Sequence, residues 1–500
     1  MTIQLSTYQQ AVIDWVTAHL DTAGALIVQA VAGSGKTFTI VQAAALIPTD
    51  HKAVFLAFNK SIATELGAKL PDHVEAKTLN SLGFGACRFN VQGQIKVERN
   101  KTRDLIRKHL DDDAQEIMGE IMNLIGKAKS HGLIPSGMPT PSGTYEATRE
   151  RWLTLMDRYD IDPNGIEGGT DTFIGWADTI LREGLKLEGL IDFDDQLYHP
   201  VALDYNTWGY DWVIIDEAQD VSHVQRTLLR KFMKRNGAAR LIAVGDSHQA
   251  IYGFRGADSE SLANIGRLFK AETLPLSISY RCPRKVIEIA QQYVPHIECS
   301  ETAEDGEVLH PKDWQVDSFS DDDLVVCRNT APLIELAYKC IAEGHAVHVM
   351  GREIGKGLIN VIRKAGGRRH LELTLEDFAP KLDNWAERQL VKAKDDESKQ
   401  AAVTDKLDCL RVLSAGLETV SELVASIETI FSDSAKGTTL ATVHKAKGLE
   451  APRVFILEPD LMPSPWARKE WQQEQERNLQ YVAVTRALET LVYLPLSIVG

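Results

Sequence analysis

Cysteine is scarce in this chain: six in 500 residues, Cys87, Cys282, Cys299, Cys327, Cys340 and Cys409, with no CxxC pair. That argues against a disulfide framework and leaves buried, reduced thiols in a reducing compartment as the expectation. Long apolar runs are missing too. No segment approaches the ~20 apolar residues that span a bilayer, so no membrane partner is expected. The opening residues Met1-Thr2-Ile3-Gln4-Leu5 lack a basic stretch followed by an apolar one, so no secretory leader is expected and a cytoplasmic location is. Positive charge is in deficit: 55 Lys and Arg against 70 Asp and Glu give a formal charge of −15. A surface coated with basic residues is excluded, but a local basic or aromatic channel is not, because binding follows the field at the groove and not the total.

What is present suits a globular protein of several domains. Apolar and charged contents of 44% and 25% are ordinary, and at roughly 150 residues per domain three or four units are expected. Short apolar runs at 25–28, 54–58, 212–215 and 241–244, each followed by small or polar residues and then helical periodicity, predict a parallel sheet covered on both faces. Runs at 324–327, 346–350, 439–443 and 454–457 predict a second sheet. The plan is therefore α/β: a first sheet domain from 1–90 and 189–275 with a helical module at 91–188, and a second from 276–350 and 436–500 with a shorter helical module at 351–435. The first module is basic at its start (Arg99, Lys101, Arg103, Arg107, Lys108), and residues 391–406 read as a solvated, charged helix face.

The sharpest chemical signal follows the first apolar run: Ala30-Val31-Ala32-Gly33-Ser34-Gly35-Lys36-Thr37. Here a strand feeds a glycine-containing turn that opens a helix. Glycines let backbone N–H groups curve around phosphate oxygens, and the helix start adds partial positive charge. Lys36 would reach the β and γ phosphates of ATP and the Thr37 hydroxyl would ligate Mg²⁺. Ala30 stands where the pattern GxxxxGK[ST] has its first glycine. The stretch Gly351-Arg352-Glu353-Ile354-Gly355-Lys356-Gly357 is a decoy, too short in spacing and with no hydroxyl after the lysine.

About 180 residues on, Trp212-Val213-Ile214-Ile215-Asp216-Glu217-Ala218-Gln219-Asp220 is an apolar strand ending in two carboxylates. Asp216 can hold Mg²⁺ through water, and Glu217 can orient and deprotonate an attacking water, which favours hydrolysis over transfer to an acceptor.

From Asp216-Glu217-Ala218-Gln219-Asp220 onward the chain resembles the superfamily 1 DNA helicases of the UvrD/Rep type, and the blocks continue in order. Leu5-Ser6-Thr7-Tyr8-Gln9 resembles the glutamine motif that reads adenine, with Gln9 as reader. The stretch from Gly245 to Ala257, with Gln249, Tyr252 and Phe254, resembles the coupling motif. Ser279-Tyr280-Arg281, the block from Thr442 to Glu450, and the block from Tyr481 to Ala487 resemble motifs of the second motor domain. Within the family, the block from Ala57 to Ala63 is most similar to the F-box DNA helicase branch and its bacterial and phage-borne relatives, so a bacterial or phage-encoded protein is expected.

The resemblance implies two RecA-like motor domains, each with an inserted, mainly helical accessory domain. It implies ATP and Mg²⁺ as cofactors and turnover in a cleft shared by two lobes. Lys36, Asp216, Glu217 and Gln249 would act from the first lobe and Arg281 and Arg486 from the second. Ala32, Gly33, Ser34, Gly35 and Thr37 would line the nucleotide with Glu450, and Tyr280 would stack on adenine. It also implies single-stranded DNA as partner, gripped by Phe58, Asn59, Lys60, Thr78, Asn80, Tyr252 and Phe254 on one side and by His444, Lys445 and Lys447 on the other. Two departures touch the grip of the first domain: many relatives carry histidine where Asn80 stands, and in many the motif phenylalanine falls at Ala57.

The implied activity is 3′→5′ translocation with unwinding at junctions between single- and double-stranded DNA. Two alternatives stand beside it. One is an ATP-driven remodeller that displaces DNA-bound proteins such as recombinase filaments. The other is the motor subunit of a larger DNA-processing or defence complex with a nuclease partner.

Overall fold

The apolar runs become strands because they are buried on both sides. The structure, a computed structural model, describes residues 4–161, 168–234, 237–253, 256, 260–393, 397–431 and 437–500. By their contacts the residues fall into two units: Met1–Ala30 with Gly35–Leu276, and Val31–Ser34 with Ser277–Gly500.

In the first unit six strands, β1 (Gly24–Ala30), β2 (Ala53–Ala57), β3 (Val74–Thr78), β4 (Trp212–Ile215), β5 (Arg240–Gly245) and β6 (Glu272–Leu276), form one parallel sheet in the order β6-β1-β5-β4-β2-β3. Alternate residues face opposite cores. Ala25, Ile27, Val54, Leu56, Val213, Ile215, Leu241 and Ala243 point to one. Leu26, Val28, Phe55, Trp212, Ile214, Ile242 and Val244 point to the other, where Val12, Val16, Ile40 and Leu66 cover them. Burying each such aliphatic side chain stabilises by about 1.5–3 kcal/mol, and this two-sided burial is why β2, β4 and β5 read as continuous apolar runs.

The stretch between β3 and β4 is mainly helical, with helices Lys101–His109, Met118–Ser130, Arg149–Arg158, Gly169–Lys186 and Asp195–Ala202. Their apolar residues, among them Leu105, Ile121, Trp152 and Phe173, join the same core as one face of the sheet. Lys101, read from sequence as part of a basic opening, is instead buried at 1% exposure, with Nζ 2.6 Å from Asp195 Oδ2.

In the second unit the strands β7 (Glu307–Leu309), β8 (Leu324–Cys327), β9 (Val347–Val349), β10 (Thr438–Thr442), β11 (Ala451–Leu457) and β12 (Ala487–Leu494) make a second parallel sheet in the order β7-β12-β11-β8-β10-β9. Between β9 and β10 run helices Arg352–Gly366, Leu375–Lys392, Glu397–Ser414 and Val420–Ile430. Leu358, Phe378, Leu410 and Leu423 from these helices share a core with Val325, Phe455 and Val492 of the sheet. The charged residues 391–406 fall on two of these helices, except 394–396, which lie outside the described residues. Among the described residues no helix is long and apolar enough to cross a membrane. All six cysteines are free, and all but Cys299 are buried.

Candidate nucleotide site and nucleic-acid interface

β1 ends at Ala30 and the helix Lys36–Ala44 begins six residues later. Gly33 and Gly35 between them have φ of +71° and +73°, the left-handed region that glycine enters without steric cost. Gly35 caps the helix with no side-chain hydrogen bond, so the first N–H groups of the helix are left for an anion. Ser34 Oγ is buried without a hydrogen-bond partner. Open amides, an orphaned hydroxyl and Lys36 at the first helical position fit phosphate oxygens. Gln9 is buried at 5% exposure; its Oε1 accepts from the Ser6 amide at 3.0 Å in a capping box, and a Cβ on Gly35 would lie 3.3 Å from its Nε2. The structure thus brings Gln9 to the loop.

β4 delivers the paired carboxylates. The Asp216 amide donates to the Leu56 carbonyl of β2 at 3.1 Å, and Asp216 Oδ1 accepts from the Glu217 amide at 2.8 Å. Glu217 has φ +51°, a conformation uncommon outside glycine and often kept at functional positions. Lys36 Nζ stands 3.3 Å from Glu217 Oε1. Burial alone pulls the Lys36 pKa down, but Glu217, Asp216 and Asp246 together outweigh it and hold the ammonium above its ordinary value, so Lys36 is charged. Thr37, next on the helix, and Asp216 are the hard oxygen donors that Mg²⁺ takes alongside substrate phosphates.

A chain of hydrogen bonds leaves Glu217. Gln219 Nε2 donates to Glu217 Oε2. Gln219 Oε1 accepts from the Asp246 amide at 3.0 Å, and Asp246 Oδ2 accepts from Gln249 Nε2 at 2.8 Å. All three residues are buried, Asp246 completely. A Cβ on Gly245 would meet Gln219 Oε1 at 2.4 Å, so glycine is required there for the chain to close. Sequence reasoning assigned roles to Glu217 and Gln249 but none to Gln219 or Asp246, although both sit inside the quoted motifs.

Within the second unit, Arg281 Nε lies 2.7 Å from Glu450 Oε2, and its Nη1 donates to the Thr485 carbonyl at 3.5 Å. Arg486 is only 1% exposed; its guanidinium donates to the carbonyls of Val482 (2.9 Å) and Leu449 (3.2 Å) and to Thr485 Oγ1 (3.1 Å). Arg281, Glu450 and Arg486 are therefore gathered around Thr485. Val31–Ser34 belong to this unit by their contacts. The Ala32 amide donates to Tyr481 Oη at 2.9 Å, the Tyr280 amide donates to the Gly33 carbonyl at 2.9 Å, and a Cβ on Gly33 would strike Arg281 Cβ at 2.4 Å. The Tyr280 ring is about half exposed.

The first unit also carries an aromatic groove. β2 stops at Ala57, one residue before the expected end, and leaves Phe58 half exposed. Its ring stacks with Tyr252 at 6.1 Å and 12°. Both line a cavity of about 540 Å³ with Asn80, Lys127, Ser130 and Phe193. Phe193, 65% exposed between Asp192 and Asp194, went unnoticed in the sequence; a lone aromatic in an acidic turn is the signal that could have found it. Asn80 Nδ2 donates to the Phe193 carbonyl at 3.1 Å and to Gln196 Oε1 at 3.3 Å.

Other expected strand contacts have local duties. Asn59 Oδ1 caps the helix Lys60–Gly67 by accepting from the Ile62 amide at 2.9 Å, and Thr78 caps the helix Leu79–Asn90 through a capping box with Ser81. Lys60 opens its helix, exposed. Phe254 lies outside the described residues. His444, Lys445 and Lys447 sit half-buried on the helix Val443–Ala446 and at its end, none of them without a partner.

Comparisons with known proteins identify the family. The UvrD/REP helicase N-terminal domain matches residues 14–270, and the UvrD-like helicase C-terminal domain matches residues 374–494. The chain belongs to the UvrD/Rep helicase family. Family members similar to it include F-box DNA helicase 1 of Gallus gallus (25% identity, 98% of this chain, 49% of the relative) and F-box DNA helicase protein 1 of Schizosaccharomyces pombe (24%, 95% and 56%). A probable DNA helicase II homolog of Rickettsia felis is 22% identical over 95% of this chain and 90% of its own length. The chain spans about half the length of the two F-box relatives.

Proposed function

We propose that the chain is an ATP-driven DNA helicase that tracks along single-stranded DNA, 3′→5′, and opens duplex at single-strand/double-strand junctions. One observation carries the reading. The Lys36–Glu217 pair, the hydrogen-bond chain ending at Gln249, and the Phe58–Tyr252 stack all lie in one unit, and Gln249 precedes Tyr252 by three residues. A change at the carboxylates has a short, buried route to the aromatic groove. Membership of the UvrD/Rep family supports the reading, and the 3′→5′ direction rests on that likeness alone.

When bound, ATP would supply the phosphoanhydride and Mg²⁺ would supply positive charge against its phosphates. In this reading Lys36 and the open amides of the loop hold the phosphates, and Thr37 and Asp216 hold the metal. Glu217 takes the proton of the attacking water. Arg281 and Arg486, by resemblance, stabilise the γ-phosphate as negative charge develops; such an arginine is worth ~10³–10⁵ in rate, about 4–7 kcal/mol. Gln9 and Tyr280 take the base. Phe58, Tyr252 and Phe193 offer faces for DNA bases. Stacking is worth ~1–3 kcal/mol per base and a DNA base-pair step about 1.4, so the groove can hold a base and still release it. Little sequence preference is expected. The helical stretches 91–188 and 351–435 would serve as accessory modules.

The test is ATP hydrolysis with and without oligo-dT. Strong stimulation by the oligonucleotide, absent in Lys36→Ala, is expected; hydrolysis indifferent to DNA overturns the reading. A second reading, displacement of proteins from DNA with little unwinding, is supported by the shortness of the helical stretch between β9 and β10. Duplex-separation and protein-displacement assays on one preparation distinguish the two.

A further inference from the structure

One cavity in the first unit has no part in the function so far described. It is a hollow of about 860 Å³ along the helix His223–Phe232, closed on its far side by the helix Ser261–Phe269 and at one end by the turn at Gly143 and Tyr145. We propose that it is a second single-strand contact, which takes the sugar-phosphate backbone of DNA where the strand runs on from the aromatic groove. The proposal rests on the DNA-tracking reading above and extends it.

Charge is the first reason. Five cations line the hollow, Arg226, Arg230, Lys231, Lys234 and Arg267, against a single carboxylate, Asp204. Lys231 pairs with Asp204, Lys234 with Asp211 at 2.7 Å, and Arg267 with Glu260 at 2.7 Å. Among the lining residues the cations outnumber the carboxylate five to one, in a chain whose total is −15. A cationic track is the field a phosphate backbone needs, and its local sign matters more than the sum over the protein.

Spacing is the second. Residues 223, 226, 227, 230, 231 and 234 all line the hollow. The first five lie on the helix His223–Phe232 and recur every three or four positions, so they form one helical face, and Lys234 follows just past its end. At 1.5 Å per residue that face runs about 12 Å, a line and not a point. At its start His223 sits 5.0 Å from the Tyr145 ring, which Arg151 covers from 5.1 Å. The Gly143 carbonyl accepts from Thr227 Oγ1 at 3.2 Å and lies 2.8 Å from His223 Nε2. The end wall is therefore fastened to the helix.

Continuity is the third, and it favours a nucleic acid over an acidic protein segment. The same helix start serves both cavities: Ser222, Val224 and Gln225 line the aromatic groove, while His223, Arg226 and Thr227 line the hollow. A strand that passes Gln225 on leaving the groove arrives at the cationic face.

The test compares the wild-type chain with Arg230→Glu/Arg267→Glu, two exposed positions whose replacement does not disturb the core. Binding of fluorescent oligo-dT is followed by anisotropy across a salt series, with a short oligomer that fills the aromatic groove and one about twice as long. The expected result is unchanged affinity for the short oligomer. For the long one, affinity falls by about tenfold or more, with a salt slope shallower by about 1.4, at ~0.7 per lost phosphate contact. ATPase activity without DNA stays at the wild-type level. Equal affinities and slopes for the long oligomer in the two proteins overturn the proposal. So does a variant that binds DNA normally but no longer binds oligo-glutamate, which would assign the hollow to an acidic protein. If the wild-type chain binds neither oligomer, the DNA-tracking reading itself fails, and that outcome is visible without the variant.

Discussion

Lys36 Nζ lies 3.3 Å from Glu217 Oε1, joining the phosphate loop to the carboxylate that ends β4. They stand 181 residues apart in the chain, and parallel strands bring them together: β1 and β4 both pair with β5. The two should fail differently. Lys36→Ala should lose nucleotide affinity and nearly all hydrolysis. Glu217→Gln should still bind a fluorescent ATP analogue while hydrolysis falls ~10²–10⁴-fold, the span of a lost general base. Equal loss of binding in both variants would place Glu217 in binding and not in water activation.

The buried route from Glu217 to Gln249 gives a second expectation. Gln219→Ala removes the link between Glu217 and Asp246 and leaves the Asp246 amide without its acceptor, at about 1–3 kcal/mol. ATPase measured against oligo-dT concentration should show a smaller maximal stimulation, with nucleotide binding little changed. Gly245→Ala, whose Cβ would sit 2.4 Å from Gln219 Oε1, should give the same phenotype. Full stimulation in both variants would remove the relay.

Phe58→Ala, Tyr252→Ala and Phe193→Ala should each weaken oligo-dT binding by ~1–3 kcal/mol, a loss of about fivefold to 150-fold, with ATP binding intact. Phe254→Ala is expected to do the same from the sequence resemblance. A silent Phe193→Ala would show that its exposure serves something other than DNA.

The legibility of this chain follows burial. β2, β4 and β5 could be read because every residue in them is buried. β3, Val-Glu-Ala-Lys-Thr, and β6, Glu-Thr-Leu-Pro-Leu, could not: they are the two edges of the sheet and are largely exposed or half-buried, so their polar residues break the apolar signal. The glycine turn before Lys36, the paired carboxylates and Gln249 stood out in the sequence because the proposed chemistry demands particular residues at fixed spacing. Phe193 and the Lys101–Asp195 pair were not. Each depends on a tertiary meeting, and a lysine among four neighbouring cations looks like solvated surface until Asp195, 94 residues on, is seen to neutralise it.

That pair belongs to a buried cluster with a pH signature. Asp195 Oδ1 lies 2.8 Å from Lys129 Nζ and 3.4 Å from His199 Nε2; Asp192 and Lys101 complete the group. Burial is the main cause that pulls the His199 pKa down to about 4, against Asp195, which raises it. The unfolded chain therefore binds this proton below pH 6.5 while the folded one does not, and stability falls as the pH drops from 6.5 towards 4, by up to about 3 kcal/mol. Asp195, held low chiefly by Lys129 against the opposing effect of burial, adds a further loss at lower pH. Denaturant unfolding across this range should show the slope, and His199→Leu should flatten it between pH 6.5 and 4. An unchanged slope in the variant would assign the titration to other groups.

The most direct measurement is strand separation on two partial duplexes that differ only in whether the single-stranded tail is 3′ or 5′. ATP-dependent release from the 3′-tailed substrate, little from the 5′-tailed one and none with Lys36→Ala is the expected result. Hydrolysis that proceeds while neither substrate is opened nor tracked, or release that needs no ATP, would contradict the account of a nucleotide-driven motor on a single strand.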